Sequence, residues 1–216
     1  MRISKFNRHR TTGTRMQKKD EHSHGMIRCE ACGTAIPAYD IVNYGSIEDG
    51  YRQLCSQCFN AEVASTQGLD RFENIRFDQV AMTDCTGEAH EFHFRTRLLG
   101  AMVALDAFEL KRGEPAGYQF QILGVPDDDL LSLLGRLVER MRRSLSVKHL
   151  VQSEHGLQIA GQTVRARIES DQTKDERMPL LVIDGRDVSW EEFGRMLMTF
   201  EGGQFRLEIG DRSDEI

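Results

Sequence analysis

Apolar residues recur at every second position in some stretches of this chain and at every third or fourth in others, and the two periods separate strands from helices. The alternation is clearest from Ala89 to Leu98. There Phe92, Phe94, Thr96 and Leu98 fall on one face and Glu91, His93, Arg95 and Arg97 on the other, so a strand is expected with one face on a core and one in water. Tyr118, Phe120 and Ile122 alternate with Gln119 and Gln121 in the same way, and Leu180 to Ile183 runs into an Asp184-Gly185 turn. Two helices are expected. The first follows Pro126, takes its cap and first-turn charge from Asp127, Asp128 and Asp129, and carries Leu130, Leu133, Leu134, Leu137, Val138, Met141 and Leu145. The second opens with the capping box Ser189-Trp190-Glu191-Glu192, buries Phe193, Met196, Leu197 and Phe200, and stops at Gly202. Gln204 to Ile209 reads as a returning strand, and the last residues from Asp211 as frayed. Residues 69–216 are thus expected to form an α+β domain, a mostly antiparallel sheet with two main helices.

Upstream, cysteines change the picture. Cys29-Glu-Ala-Cys32-Gly33 has the form of a knuckle in which Gly33 permits a positive φ. Asp40 to Tyr44 and Tyr51 to Leu54 can pair as a hairpin across the Gly45 to Gly50 turn, delivering Cys55-Ser-Gln-Cys58 to the start of a helix that Gly68 stops. Two Cys-x-x-Cys pairs make a closed tetrahedral thiolate site, which predicts one structural Zn²⁺ per chain held by Cys29, Cys32, Cys55 and Cys58 and leaves no open position for a substrate. A helix N-terminus is a suitable place for the second pair, because its free N–H groups and dipole favour thiolate. This order of knuckle, hairpin and helix over residues 27–68 resembles the treble-clef zinc fingers. The remaining chain, with its Ser189-Trp190-Glu191-Glu192-Phe193 segment, resembles uncharacterised bacterial zinc-finger proteins. The treble-clef family includes nucleic-acid readers, protein-docking modules and purely structural pieces, so the resemblance implies a fold and a metal and leaves the function open.

Composition and charge narrow the classes. No apolar run approaches the roughly 18 residues of a membrane span, and the N-terminus has no apolar stretch of the signal-peptide kind, so no membrane contact and a cytoplasmic location are expected. Five cysteines, four of them in metal spacing, fit a reducing compartment. Residues 1–26 form a basic tail too poor in apolar side chains to fold alone. Through residue 27 it carries Arg2, Lys5, Arg8, Arg10, Arg15, Lys18 and Lys19 against Asp20 and Glu21, a net of +5, whereas the whole chain is −6 and the body therefore −11. Arg8, Arg10, Arg15, Lys18 and Lys19 are candidate phosphate contacts, the bland alternative being a solvated tail. His22 and His24 could serve as spare metal ligands, but four cysteines already suffice. The finger carries Arg28 and Arg52 against Glu30, Asp40, Glu48, Asp49 and Glu62, and a four-thiolate zinc centre adds −2. A surface of that sign repels phosphates, which favours a structural cap or a protein-docking surface, with Tyr44, Ile47 and Tyr51 as the docking candidates.

Candidate chemistry elsewhere is sparse. Cys85, His90 and His93 could suggest a nucleophile and base, but alternation puts the two histidines on opposite faces. Asp127 to Asp129 are explained by helix capping without a cation. Arg136, Arg140 and Arg143 recur on one helix side and could hold an anion, or be a solvated stripe favoured by the helix C-terminus. The reading that results is a non-enzymatic zinc-binding adaptor or regulatory module with a protein partner. The alternatives are a nucleic-acid-associated factor using the tail and the arginine stripe, and an enzyme of unknown chemistry.

Overall fold

The computed structural model describes residues 25–214 apart from 155, 172, 173 and 175–177. The basic tail, with Arg8, Arg10, Arg15, Lys18, Lys19, His22 and His24, lies outside the described residues. The chain starts with a short antiparallel ribbon, β1 (Met26–Arg28) on β2 (Ala35–Pro37). The turn between them is closed by Gly33 N–H donating to Cys29 O at 2.8 Å, with Gly33 at φ 73°. A 3-10 turn leads to the hairpin β3 (Ile41–Ser46) and β4 (Gly50–Cys55), paired from Ile41↔Cys55 to Ser46↔Gly50. Gly45 sits at φ 147°, and a Cβ there would lie 2.1 Å from the Gly50 carbonyl oxygen, so only glycine lets the hairpin close. Helix α1 (Ser56–Gln67) follows at once and ends at Gly68 in the left-handed region.

Four strands then form an antiparallel meander: β5 (Val80–Thr83), β6 (Ala89–Leu99), β7 (Met102–Lys111) and β8 (Glu114–Gly124). The β7–β8 connection is the two-residue turn Arg112-Gly113, both at positive φ, which suits the sheet's twist. Helix α2 (Leu130–Leu145) is capped by Asp129, whose carboxylate accepts from the N–H groups of Leu131 and Ser132. Asp128 accepts from Val125 N–H, so two of the three aspartates are used as caps and turn acceptors. Leu130, Leu133, Leu137, Met141 and Leu145 are buried against β7 and β8. With Phe92, Leu98, Val103, Leu105, Phe120 and Ile122 they make one core, which continues without a break into Leu54, Phe59 and Val63 of the cysteine-bearing region.

A second, smaller core belongs to the C-terminal part. Here β9 (Leu150–Ser153) pairs with β10 (Gly156–Ile159), and β11 (Arg167–Ser170), β12 (Pro179–Ile183) and β13 (Arg186–Ser189) form a three-stranded antiparallel sheet. Helix α3 (Trp190–Leu197), capped by Ser189 accepting from Glu192 N–H, covers it with Met196. The architecture is α+β, with antiparallel pairing throughout the described sheets.

Three expectations are corrected. From His93 to Arg97 the polar face of β6 is not wet: Asp106 of β7 is fully buried there, and Arg95 and Arg97 are only 17% and 25% exposed in their side chains. Tyr39 covers this face by edge-on contacts with Phe108 and His93, and Arg95 donates to Tyr39 O at 2.6 Å. Helix α3 ends at Leu197, and Phe200 is 40% exposed in a 3-10 turn instead of being buried. Gln204 to Ile209 form no strand. Among the described residues no backbone hydrogen bond reaches this stretch, and all of its side chains are exposed.

Candidate metal centre

The local folding of the two Cys-x-x-Cys segments brings four sulfurs to one point. The β1–β2 turn presents Cys29 and Cys32, and the junction of β4 with α1 presents Cys55 and Cys58. Their Sγ atoms all lie within 4.8 Å of one another. A tetrahedral ion with metal–sulfur bonds of about 2.3 Å needs sulfurs about 3.8 Å apart, a spacing that the group meets with at most a small contraction. Cys29 and Cys55 are buried, whereas Cys32 lies at the surface. Backbone N–H groups are aimed at the sulfurs: Cys55 N donates to Cys29 Sγ at 3.3 Å and Cys58 N to Cys55 Sγ at 3.5 Å, the latter also capping α1.

Electrostatics agree with a cation site. Burial opposes ionisation of Cys29, but the N–H groups of Cys32, Cys55 and Ala31 overcome it and lower its pKa to about 6. Burial and the neighbouring thiols push Cys58 and Cys55 up. Four thiols this close cannot all become thiolates on their own, whereas a divalent cation at their centre stabilises all four. With every position filled by protein, the site is suited to holding structure together and has no vacancy for a reacting group.

The cysteine-bearing unit is riveted to the large sheet. Strand β5 pairs only with residues 89–92 of β6, so beyond that point the edge of β6 is open. Asn60 of α1 fills it: its Nδ2 donates to Thr96 O at 2.9 Å, and its Oδ1 accepts from Leu98 N at 2.8 Å. One buried amide thus makes the two bonds that a neighbouring strand would have made. Asn74 ties the connector to α1 by donating to Gln57 O at 2.7 Å, and Arg76 pairs with buried Asp40 at 3.1 Å. Sequence reasoning missed Asn60, because nothing local marks a helical asparagine as the partner of a distant strand edge.

Of the docking candidates, Ile47 and Tyr51 are 90% and 62% exposed. Tyr44 instead packs edge-on against Phe59, ring centroids 5.3 Å apart. The hairpin register explains the difference: Tyr44 faces Arg52 and Gly45 faces Tyr51, which puts the two tyrosines on opposite faces. Arg136 and Arg143 are exposed, but Arg140 is taken up by carbonyls: Gln121 O at 2.9 Å, Ser213 O at 2.8 Å, and those of Arg212 and Asp214. It fastens residues 212–214 to β8.

Cys85 is exposed, and its N–H donates to Leu145 O. His93 and His90 lie on opposite faces of β6, as the alternation requires. His90 belongs to a buried polar cluster that the sequence reading did not assemble. Its Nδ1 lies 2.8 Å from Glu109 and its Nε2 3.3 Å from Asp84, while Lys148 Nζ is 2.6 Å from Asp84 and 3.5 Å from Tyr118 Oη. The available signal was the position of His90, two residues before Phe92 on the apolar face of β6. Burial pushes the Asp84 carboxyl up, but hydrogen bonds from Lys148, Thr86 and His90 outweigh it and hold its pKa well below the usual carboxylate range. Burial pushes the Tyr118 hydroxyl up to about 12. The cluster's oxygens are occupied: Asp84 Oδ1 accepts from Thr86 and Glu88, and Glu109 Oε2 accepts from Tyr118 N–H. Together these groups join the β5–β6 turn, the β7–β8 pair and the connector after α2.

Three family models match the chain, each describing a domain of unknown function: DUF7685 over residues 28–70, DUF7686 over 73–146 and DUF7713 over 149–214. Their spans coincide with the cysteine-bearing unit, the four-stranded sheet with α2, and the C-terminal part around the second core. No curated protein and no solved structure matches the chain. Among the described residues no helix is long and apolar enough to cross a membrane.

Proposed function

We propose that Cys29, Cys32, Cys55 and Cys58 hold one structural Zn²⁺ in a treble-clef finger, and that the chain is a non-enzymatic adaptor or regulatory module that binds a protein partner. The observation that carries this reading is the way the finger is built into the rest: its helix completes the open edge of β6 through Asn60, and its apolar residues belong to the core of the large sheet. A metal that secures such a cap secures the sheet too, and the closed donor set gives it no catalytic opening. Against an enzyme stands the saturation of the Asp84–His90 cluster, where the carboxylate oxygens already have partners. A nucleic-acid role is disfavoured at the finger by its two arginines against five acids, and along α2 by the engagement of Arg140.

The partner surface is the outward side of the β3–β4 hairpin, with Ile47 at its tip and Tyr51 beside it, two exposed apolar groups on an ordered ribbon. Such a pair can anchor a docking partner. The test is a pull-down from native lysate with wild-type protein, Ile47→Asp and Tyr51→Ala, after elemental analysis for zinc. One zinc per chain and a captured partner lost in both variants support the reading. Protein prepared with zinc available yet free of metal, or capture indifferent to both variants, contradicts it.

A further inference from the structure

Seven consecutive residues, Gln204 to Gly210, are exposed and outside any helix or strand, between two anchored points. Upstream lies the 3-10 turn Met198–Phe200, and downstream Arg140 and the Arg212–Gln119 contact fasten residues 212–214 to the main sheet. Within the stretch Phe205, Leu207 and Ile209 are 81%, 69% and 70% exposed. Among the described residues Arg206 and Glu208 pair only with each other. An alternating segment with three bare apolar side chains and no backbone partner has the make-up of a strand lacking its neighbour.

The sequence of the segment says what that neighbour is. Set antiparallel to itself about Leu207, it places Arg206 opposite Glu208 of the other copy twice, Phe205 opposite Ile209 twice, and Leu207 opposite Leu207. Every directly opposed pair from 205 to 209 is then either apolar with apolar or positive with negative, with Gln204 and Gly210 meeting at the ends. Other arrangements fail. In a parallel pair, arginine faces arginine and glutamate faces glutamate. An antiparallel slip of one residue sets apolar against charged side chains, and a slip of two brings like charges onto the axis. We infer that residues 204–210 form an antiparallel two-stranded ribbon with the same residues of a second copy of this chain, making a symmetric homodimer. A bare two-stranded ribbon is marginal in water, so its apolar face needs cover. Met198 and Phe200, 62% and 40% exposed just upstream in each chain, are the apolar groups nearest in sequence that could supply it.

The inference is independent of the metal and of any hetero-partner, and it is tested on full-length, zinc-loaded protein. Sedimentation equilibrium of the wild type should show a dimer in the micromolar range. Arg206→Glu alone and Glu208→Arg alone each turn two attractive pairs into two repulsive ones and should weaken dimerisation about tenfold or more. The double exchange restores opposite charges in the antiparallel register and should recover wild-type affinity. Leu207→Cys in a Cys85→Ser background should cross-link rapidly under mild oxidation, because position 207 meets itself at the axis, whereas Gln204→Cys should not. All these positions are exposed, so an unchanged melting curve at low concentration serves as the folding control. A wild type that is monomeric at 100 µM overturns the inference. So does a double exchange no better than the single ones, a Leu207→Cys variant that fails to cross-link, or hydrogen-exchange protection of residues 204–210 independent of protein concentration, which would mean pairing within one chain.

Discussion

Replacing Asn60 tests the joint between finger and sheet most directly. The residue is 1% exposed, and its amide serves Thr96 O at 2.9 Å, Leu98 N at 2.8 Å and Asn74 Oδ1 at 3.2 Å. Asn60→Leu keeps the branched four-heavy-atom shape and removes all three. Two backbone groups on the open edge of β6 then lose their partners in an interior position, at about 1–3 kcal/mol each. The carbonyl should fall near the lower figure because its second lone pair can find other company. A total near 3 kcal/mol is expected, a large share of the roughly 5–15 kcal/mol that holds an ordinary domain together. For a chain of this size that corresponds to a fall in melting temperature of about 6–12 °C. Asn60→Ala should cost less if water enters the vacated space and bonds the two groups. Asn60→Asp should cost at least as much as the leucine variant, since a carboxylate can accept from Leu98 N–H but is repelled by the Thr96 carbonyl. The assay is urea unfolding followed by circular dichroism at fixed zinc, with amide exchange at Leu98 as the local readout. A loss under about 1 kcal/mol for Asn60→Leu, or unchanged exchange at Leu98, would refute the idea that this amide stands in for a strand.

The other predictions address the metal, the buried cluster and the hairpin. Cys55→Ser keeps a good helix cap at the start of α1, so its expected loss of zinc and of several kcal/mol, on the order of 5, reports metal ligation alone; equal zinc content by elemental analysis would contradict the site. Asp84 is depressed in the folded state, so it stabilises the fold above its usual value of 3.8 and that support drains away as pH falls below it. Acid unfolding of Asp84→Asn should therefore be flatter than wild type below about pH 4, and parallel curves would show that the cluster does not govern acid stability. Lys148, raised by Asp84 despite its burial, works in the other direction: its contribution holds below 10.5 and fades at higher pH, which Lys148→Met should abolish in an alkaline melting series. Tyr44→Ala should lower the melting temperature by removing the ring contact with Phe59, while Tyr51→Ala should leave it unchanged; the reverse result would mean that the hairpin register is wrong.

What the sequence made legible follows from which interactions are local. Metal spacing, helix caps and strand alternation are short-range patterns, and they located the four-cysteine group, the Asp129 and Ser189 caps, and the α+β class. The face a residue occupies needs one more fact, the length of the turn. With three residues, Ile47 to Asp49, between Ser46 and Gly50, Tyr44 must turn inward and Tyr51 outward, and a turn one residue shorter or longer would reverse that parity. Interactions fixed only by tertiary register were invisible. Asp106 stands out as a charge in the apolar run Val103 to Phe108, but its partners Arg95, Arg97 and Gln121 are assigned only once three strands are aligned. The polar row of β6 reads as solvent-facing for the same reason: alternation shows that a face is polar, and not whether its charges are neutralised within the protein.

The C-terminal segment turns this distinction into an argument. A period of two reflects how a strand would present its side chains, and it is set by the residues themselves; pairing depends on an edge being within reach. For β6 both conditions are met, because β7 follows after a short turn through Gly100. For Gln204 to Gly210 only the first is met within one chain: among the described residues no backbone hydrogen bond reaches the stretch. Alternation, bare apolar side chains and oppositely signed charges about Leu207 then remain to be accounted for together. A second copy accounts for all three at once, since it supplies the missing edge, gathers the apolar side chains of both strands on one face for Met198 and Phe200 to cover, and pairs each arginine with a glutamate.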